Sequence, residues 1–433
     1  MVKRKITEEI IMSAFDRIIG YQTIKEELLQ ICDMIHNKET YKRLGAKLPQ
    51  GILLYGKPGL GKTLMAKCFI EESGLPSYIV RRDKGSADFI KKISDIFQKA
   101  KTNAPAIILL DDMDKFANKD KNHSDAEEYV AVQAGIDEIK ECDVFVFATA
   151  NQTDKLPDSL IRSGRFDRRI EVNSPTGNDA EKIIKYYLGQ KKVSNDVNMD
   201  DIVKMVSYNS CAELETILND AAIGAAYAKK KNIEMDDLVK AVLRTQYNAP
   251  DNFTKKSSDA LKKIALHEAG HLVVSEVLIP GSVGLASLRS AGRDPTGGFI
   301  NVCLPIANYA HYILISLAGK AAVELYYSDT FASGCEYDIQ KATRKIQREL
   351  SRGGANGLAM IEIPYEGSEN YKKMMESVVH AELERYMLKT RDILIKNCDF
   401  LEKTANLLCE KETLLYSDIQ KLRNSISVTQ IEL

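Results

Sequence analysis

Short strand-like runs, of which 51–55 and 106–110 are continuously apolar, alternate with longer stretches of helical periodicity over residues 1–178. Each run is too short for a buried helix and ends at glycine or at polar residues, which is typical of buried strands. The predicted strands are 51–55, 77–80, 106–112, 144–151 and 168–172. Strands that alternate with helices indicate a parallel sheet with helices on both faces. We therefore predict an α/β domain over this part of the chain.

Beyond this region the apolar positions recur mainly with helical spacing. Residues 179–246 predict a small helical lid, and the polar stretch 247–258, which contains a proline, predicts a linker. Residues 259–433 predict a second, mostly α-helical domain. Within it, residues 284–305 predict two strands joined by a polar turn.

Composition and charge argue against several classes of protein. The 433 residues are 44% apolar and 28% charged, which indicates a globular protein with sizeable cores. A net charge of −1 disfavours nucleic acid as a partner. No run is long and apolar enough for a transmembrane segment, and the N-terminus has no signal-peptide core. The 8 scattered cysteines without a CxxC pair predict reduced thiols and a cytoplasmic location.

The segment GKPGLGKT follows the first predicted strand and opens a helical stretch. Strand, glycine-rich loop and helix together predict a nucleotide-phosphate site, whereas a plain glycine-rich turn is the less favoured alternative. Lys62 is expected to contact the β- and γ-phosphates, and Thr63 to bind Mg²⁺. The predicted nucleotide-binding residues here are Gly56, Lys57, Pro58, Gly59, Leu60, Gly61, Lys62, Thr63 and Leu64.

Two acids end the apolar run AIILLDD, as in a strand that carries a magnesium site. Asp111 is expected to hold Mg²⁺ through water and Asp112 to act as general base for the attacking water, although two solvated acids at a strand end are the simpler alternative. Asn151, which ends the strand VFVFATAN, could orient that water or sense the γ-phosphate. An arginine from the basic segment IRSGRFDRR could stabilise transition-state charge in a neighbouring subunit, although such a run alone is more often a solvated loop.

The segment HEAGH lies within a stretch of helical spacing. On a helix, His267 and His271 share one face and can bind one Zn²⁺, and Glu268 can accept a proton from water beside it. Two histidines satisfied inside a core helix are the alternative. A catalytic zinc site needs a third protein ligand, and four carboxylates remain open on sequence grounds. These are Glu324, Asp329, Glu336 and Asp338, of which Asp338 follows a Ser-Gly turn near a helix start.

Taken in order, these motifs resemble the ATP-dependent zinc metalloproteases of the FtsH type. The resemblance covers nearly the whole chain. Its marks are GKPGLGKT, AIILLDD, ATAN, RSGRFDR, HEAGH, LAGKAAVEL and SGCEYDIQKAT. It implies ATP, Mg²⁺ and Zn²⁺ as cofactors and proteins or peptides as substrates. It also implies a homo-oligomeric ring, expected to be a hexamer.

The resemblance further implies roles for individual residues. Asn151 matches the sensor asparagine of the family, and Asp338 matches its aspartate zinc ligand. Arg165 and Arg168 match the arginines that enter the ATP site of the next subunit. With these additions, the expected peptidase site is His267, His271 and Asp338 around zinc, with Glu268 as base.

Four departures from the family pattern modify these expectations. Asp112 stands where the family has glutamate, so we expect slow but real ATP hydrolysis. Lys57 and Leu60 replace proline and threonine in the loop, which leaves binding intact. The charged residues 81–84 replace the aromatic pore loop between Tyr78 and Phe89, which predicts weak unfolding of stable substrates. The family's N-terminal membrane anchor has no counterpart in the sequence.

The expected function is an ATP-dependent zinc endopeptidase that degrades unfolded or loosely folded proteins admitted through an ATP-driven ring. Two alternatives remain at this stage. One is a slowly hydrolysing, nucleotide-gated scaffold or chaperone, which the altered base and pore loop favour. The other is an ATP-independent zinc peptidase whose ring serves only assembly.

Overall fold

The computed structural model describes residues 13–47, 49–83, 85–117, 126–162, 164–249, 258–289, 297–327, 334–352 and 369–431. Contacts divide the chain into two units. The first comprises Met1–Gln190 and Tyr208–Thr216, and the second comprises Lys191–Ser207 and Ile217–Leu433.

The first unit contains a five-stranded sheet in which every pairing is parallel. Its strands are β1 (Gly51–Tyr55), β2 (Ser77–Val80), β3 (Ala106–Leu110), β4 (Val144–Ala150) and β5 (Arg168–Glu171), in the order β2-β3-β4-β1-β5. Its helices are α1 (Gln22–His36), α2 (Lys38–Arg43), α3 (Lys62–Ser73), α4 (Ser86–Thr102), α5 (Ala126–Glu138), α6 (Asp158–Ile161) and α7 (Gly177–Gly189), with short 3₁₀ turns at Ala14–Arg17 and Met113–Lys115. The predicted α/β fold is confirmed, and all five predicted segments contain a strand.

Helices cover both faces of this sheet, which explains why the three central strands β1, β3 and β4 are mostly apolar and buried, whereas the edge strands β2 and β5 keep exposed residues. On one face, Phe69 of α3 packs against Phe147 of β4, with ring centroids 4.9 Å apart. On the other face, Val146 of the same strand shares a core with Phe97 of α4. Successive side chains of a strand point to opposite faces, so neighbouring residues of β4 reach different helices.

The second unit is mostly helical, as predicted. It contains α8 (Met199–Met205), most of α9 (Cys211–Tyr227), α10 (Met235–Thr245), α11 (Ser258–Leu278), α12 (Tyr309–Tyr326), α13 (Glu336–Arg352), α14 (Glu369–Lys396), α15 (Cys398–Lys411) and α16 (Tyr416–Asn424). The strands β6 (Val283–Ser287), β7 (Phe299–Val302) and β8 (Thr413–Leu415) form an antiparallel sheet in the order β7-β6-β8. The pattern predicted β6 and β7, whereas the three-residue strand β8 was not predicted.

Small residues let α11 and α12 approach closely at the centre of the second unit. A methyl group added to Gly270 of α11 would lie 2.5 Å from the carbonyl oxygen of Ala318 and 2.6 Å from the side chain of Ala322. Because no side chain separates the two backbones here, α12 lies directly against the segment of α11 that carries the two histidines.

The contact division places residues 191–207 and 217–246 of the predicted lid in the second unit. The four-part division into residues 1–178, 179–246, 247–258 and 259–433 stays a prediction, and most of the proposed linker lies outside the described residues. Among the helices that the structure describes, none combines the length and apolar character needed to cross a membrane.

Candidate metal centre and nucleotide site

Three side chains of the second unit converge with the spacing of metal ligands. His267 and His271 lie one turn apart on α11, with their Nε2 atoms 3.0 Å apart. Asp338 lies in the first turn of α13, and its Oδ2 is 3.1 Å from Nε2 of His271 and 3.3 Å from Nε2 of His267. Tetrahedral ligands at zinc distances are separated by about 3.3 Å. The three residues therefore fit three corners of a zinc site.

Contacts on the far side of these ligands orient them. Nδ1 of His271 lies 2.6 Å from the carbonyl oxygen of Ile315, which can only accept a hydrogen bond. This places a proton on Nδ1 and leaves Nε2 free for a metal. Nζ of Lys341 donates to Oδ1 of Asp338 at 3.3 Å, which leaves Oδ2 toward the histidines. Sγ of Cys335 lies 3.8 Å from Nδ1 of His267.

The effect of burial on the pKa values of Asp338 and His271 is outweighed mainly by the contacts between Asp338 and the two histidines. Burial would raise the pKa of Asp338, but hydrogen bonds from the two histidines hold it well below its usual range. Burial opposes protonation of His271, yet the carboxylate of Asp338 outweighs it and raises the pKa of the histidine. The site thus favours positive charge next to Asp338, which is the environment that a metal cation requires.

Glu268 is a buried carboxyl group beside the ligands, with only 4% of its surface exposed. Burial raises its pKa, while the neighbouring histidines and a backbone hydrogen bond from Gly298 oppose the rise. A carboxyl group with a raised pKa can both accept and return a proton near neutral pH. Its position therefore suits the general base that the sequence predicts.

The structure distinguishes the four carboxylates that residue spacing alone left as candidates for the third metal ligand. Glu324 forms ion pairs with Lys320 and Arg391 instead. Glu336 accepts a hydrogen bond from Gln340 on the same helix. Asp329 lies outside the described residues. Of the three described candidates, Asp338 is the one that reaches the histidines.

Sequence reasoning missed two glycines that shape this centre. A methyl group on Gly319 of α12 would lie 2.5 Å from Nε2 of His271 and 2.6 Å from Nδ1 of His267. A methyl group on Gly298 would lie 2.7 Å from Cγ of Glu268. Gly319 interrupts the apolar helix LAGKAAVEL, and a glycine within an apolar helix was the available signal of a close contact.

The predicted phosphate loop connects β1 to the first residue of α3. Gly56 and Gly61 have φ values of 144° and 84°, in the region that favours glycine. Nζ of the buried Lys62 donates to the carbonyl oxygens of Gly56 and Lys57 at 2.7 Å and to Oδ1 of Asn151 at 2.9 Å. Burial lowers the pKa of Lys62, and three nearby aspartates oppose this. The loop thus combines a fixed cation with a helix N-terminus, which suits a phosphate.

The residues predicted to bind Mg²⁺ are hydrogen-bonded to one another. Oδ1 of Asp111 accepts from Thr63 and from Thr149, both at 2.9 Å. Thr149 was not predicted as a site residue. It follows Ala148, which pairs with Leu110, and this register places Thr149 beside Asp111. A hydroxyl group and a carboxylate in contact fit the ligand chemistry of Mg²⁺.

Asp112, the predicted base for ATP hydrolysis, is constrained in two ways. Its φ of 55° lies in the left-handed region, which aspartate tolerates better than most residues. Its Oδ2 accepts from Nζ of Lys115 at 2.6 Å. The carboxylate is therefore engaged by an ammonium group of its own chain, a contact that the sequence did not reveal.

The two predicted arginine fingers have different environments. Arg165 is 2% exposed, and its guanidinium group forms two bonds to Asp137, at 3.1 and 2.6 Å, and a third to the carbonyl oxygen of Ser159. This pairing lowers the pKa of Asp137 to about 2. Arg168 at the start of β5 has 54% of its side chain exposed and lies 4.0 Å from Glu27. The structure brings neither arginine to the nucleotide site of its own chain.

The charged segment that replaces a pore loop packs partly against its own domain. Arg82 pairs with the buried Glu128 at 3.1 Å, and Nε of Arg81 lies 4.0 Å from Oδ2 of Asp111. Phe89 is fully buried, with its ring 5.3 Å from that of Phe116. Phe89 therefore belongs to the core, and Lys84 lies outside the described residues.

A phosphate-binding type of loop on a parallel sheet, together with a helical region in which three candidate metal ligands converge, is typical of proteins that combine a nucleotide-binding domain with a metal-dependent domain. Residues 52–174 match the family described as ATPase family associated with various cellular activities (AAA). The chain is also similar to proteins named ATP-dependent zinc metalloprotease FtsH. That of Caldicellulosiruptor bescii is 31% identical over 97% of this chain and 72% of its own length.

Two further relatives carry the same name. The protein of Mycoplasma pneumoniae is 32% identical over 94% of this chain and 61% of its own length. That of Streptobacillus moniliformis is 32% identical over 96% of this chain and 65% of its own length. The chain thus spans about two thirds of the length of these relatives. It belongs to the FtsH family of ATP-dependent zinc metalloproteases, and the resemblance predicted from its motifs is confirmed.

Proposed function

We propose that this chain is a zinc endopeptidase whose AAA domain uses ATP to admit unfolded or loosely folded proteins. Its cofactors are Zn²⁺, ATP and Mg²⁺, as membership of the family implies. The observation that carries the proposal is the triangle of His267, His271 and Asp338 with Glu268 buried beside it. Three protein ligands and a neighbouring carboxyl group are the arrangement of a catalytic zinc site.

In this proposal the two histidines and Asp338 hold the metal. Bound zinc supplies Lewis-acid chemistry, which strengthens water as a nucleophile and polarises a peptide carbonyl. Glu268 accepts the proton of the attacking water and returns it to the leaving amine. Among the described strands, β7 forms an edge of its sheet and can pair with an extended peptide by β-addition. Such pairing would orient a substrate without selecting its side chains.

In this proposal the AAA domain would hold Mg²⁺-ATP, and transfer of its γ-phosphoryl group to water would supply the free energy for substrate entry. The backbone of the loop and Lys62 contact the phosphates, while Asp111 and Thr63 hold the magnesium ion. Asp112 orients and activates water, and Asn151 senses the γ-phosphate. We further propose a hexameric ring in which the exposed Arg168 serves the neighbouring ATP site. A cytoplasmic location also stays a prediction.

Casein cleavage with ATP, without ATP and by the Glu268→Gln variant tests this function. Loss of cleavage both without ATP and in the variant supports the proposal. Cleavage that is indifferent to ATP supports an ATP-independent peptidase, and no cleavage under any condition contradicts both. The matched control is Glu336→Gln, since this glutamate lies two residues before Asp338 and, among the described residues, accepts a hydrogen bond from Gln340 of its own helix. Bound zinc is measured in parallel to show that Glu268→Gln leaves the metal in place.

One observation favours slow ATP hydrolysis by the proposed enzyme. The ion pair between Asp112 and Lys115 competes with the role of Asp112 as a base. A nucleotide-gated scaffold remains the second candidate on this ground. Measured ATP turnover together with casein cleavage separates the two, because a scaffold binds ATP without supporting proteolysis.

A further inference from the structure

Strand β7 presents alternate residues to two parts of the second unit. Ile300 packs against the hydrophobic core that contains α11 and α12. Phe299 and Asn301 instead contact residues of the predicted lid and of the segment that follows it. Nδ2 of Asn301 donates to the carbonyl oxygen of Met205 at 2.9 Å, at the end of α8. The alternation of a strand thus makes one face of β7 a contact surface for the lid.

The ring of Phe299 stacks on that of Tyr247, which lies two residues after α10. The ring centroids are 4.2 Å apart, and the planes are inclined by 25°. Both rings are half-buried, and this burial raises the pKa of Tyr247 above its usual range. The stack joins the end of the last lid helix to the beginning of β7.

Helix α8 is attached to the same sheet region by two further contacts. Asp201 accepts hydrogen bonds from the backbone nitrogen and the hydroxyl group of Ser417, at 2.7 and 2.8 Å. A methyl group on Gly284 of β6 would lie 2.7 Å from the carbonyl carbon of Lys204. These contacts leave α8 little freedom to move without moving the sheet.

Gly298 immediately precedes Phe299 and lies against the base of the peptidase site. Its backbone lies close to the carboxyl group of Glu268 and opposes the rise that burial causes in the pKa of that group. An added methyl group there would lie 2.6 Å from the carbonyl oxygen of Ser287 and 2.7 Å from Cγ of Glu268. No side chain separates the peptide unit from the carboxylate, so a shift of the first residue of β7 changes the surroundings of Glu268.

We propose that Tyr247 and Phe299 are positioning residues for peptide hydrolysis. Their stacked rings hold the beginning of β7 in the place that keeps Gly298 against Glu268. This inference rests on the proposed function, in which Glu268 is the base. It also ties the geometry of the base to the lid, because Tyr247 continues from α10 and Asn301 is bonded to α8.

The test measures kcat and KM for an unstructured fluorogenic peptide, using the full chain with zinc and ATP. We expect Tyr247→Ala and Phe299→Ala each to lower kcat about tenfold with KM changed less than about twofold, since misplacement of a reacting group by an ångström costs on the order of 10²-fold. Tyr247→Phe keeps the ring and should restore kcat to within about twofold of the wild type. The double alanine variant should be no slower than either single variant, because both changes remove the same contact.

Tyr227→Ala is the matched control, since Tyr227 lies on lid helix α9 and is 91% exposed. Tyr247→Leu, which keeps an apolar side chain without the ring, guards against unfolding and should reproduce the loss of kcat. A kcat equal to that of the control overturns the proposal. If the variants lose kcat together with bound zinc or ATP hydrolysis, the proposal is also overturned, because Tyr247 and Phe299 then have a general structural role. A wild-type protein that cleaves no peptide overturns the proposed function itself, and this inference with it.

Discussion

The metal centre and the nucleotide site are held together by different kinds of contact. In the metal centre, closely packed backbone fixes the groups: α12 passes the histidines at Gly319, and Gly298 lies against Glu268. In the nucleotide site, the polar groups bind one another. Lys62 donates to carbonyl oxygens of its own loop, and Asp112 accepts from Lys115.

This difference separates a preorganised site from an adjustable one. Packed backbone has no alternative arrangement without a large displacement, so the ligands of the metal centre stay in place. The partly exposed ion pair between Lys115 and Asp112 can exchange partners at small free-energy cost, so this part of the nucleotide site can rearrange when its contacts change. A peptidase needs a fixed base and ligand set, whereas an ATP-driven domain needs groups that alternate between partners.

The largest effect expected from this comparison is that of Gly319→Ala. The added methyl group would overlap both histidine rings, so bound zinc and peptidase activity should fall to background. Zinc content and peptide cleavage of the purified variant measure this. Gly224→Ala is the control, because Gly224 also lies within a helix and an added methyl group there would meet nothing within 4 Å. A Gly319→Ala protein with normal zinc content would show that packing does not fix the ligands.

Asp338→Asn should have the next largest effect. The neutral amide keeps the size of the side chain but removes the charge next to the histidines, so zinc affinity should fall by about 100-fold or more. Competition with a coloured chelator measures the affinity. Asp392→Asn makes the same change in a surface ion pair with Lys396 and should leave zinc binding unaltered. Equal zinc affinity in the two variants would exclude Asp338 as a ligand.

Arg165 and Arg168 allow a similar comparison within the first unit. Arg165→Ala removes a buried guanidinium group that holds Asp137, and we expect the free energy of unfolding to fall by about 2–3 kcal/mol. Arg168→Ala changes an exposed side chain and should alter it by less than about 0.5 kcal/mol, while lowering ATP hydrolysis if this arginine serves a neighbouring subunit. Denaturant unfolding and ATPase rates measure both quantities. Equal stability of the two variants would contradict the structural role assigned to Arg165.

The smallest expected effect is that of Lys115→Met on ATP hydrolysis. The ion pair with Asp112 is partly exposed and contributes about 1 kcal/mol at most, so its removal should raise the ATPase rate up to about fivefold. Steady-state ATPase assays measure the rate, with Lys91→Met, an exposed lysine on α4, as control. A rate that falls in Lys115→Met would indicate that the lysine assists catalysis.

Much of the fold could be predicted because the signals are local. The central strands β1, β3 and β4 lie in mostly apolar runs, and each of the five predicted segments contains a strand of the parallel sheet. The HEAGH and GKPGLGKT segments carry their geometry in consecutive residues, since helix spacing and glycine torsions place the side chains. Strand β8 was missed because three residues carry too little periodicity, and it exists through pairing with β6.

In the two sites, likewise, the contacts that local sequence signals could not predict join residues far apart along the chain. Residue spacing alone left Asp338 as one of four carboxylates, and only the family resemblance favoured it; the folded chain brings it to His271, 67 residues away along the chain. The sequence treated Arg165 and Arg168 alike, because two arginines in one polar segment look equivalent. Burial against Asp137 distinguishes them, and burial depends on residues 28 positions away.

Spacings within a few residues were enough to predict the class of the first domain, two candidate ligands and a candidate base on one helix, and the phosphate loop. The packing of the folded chain shows that Asp338 lies beside the two histidines, that Gly319 and Gly298 lie against the candidate site, and that Lys115 engages Asp112. It also placed Tyr247 on Phe299. These contacts join elements that are far apart along the chain. They therefore depend on how the helices and strands pack and cannot be predicted from any single motif.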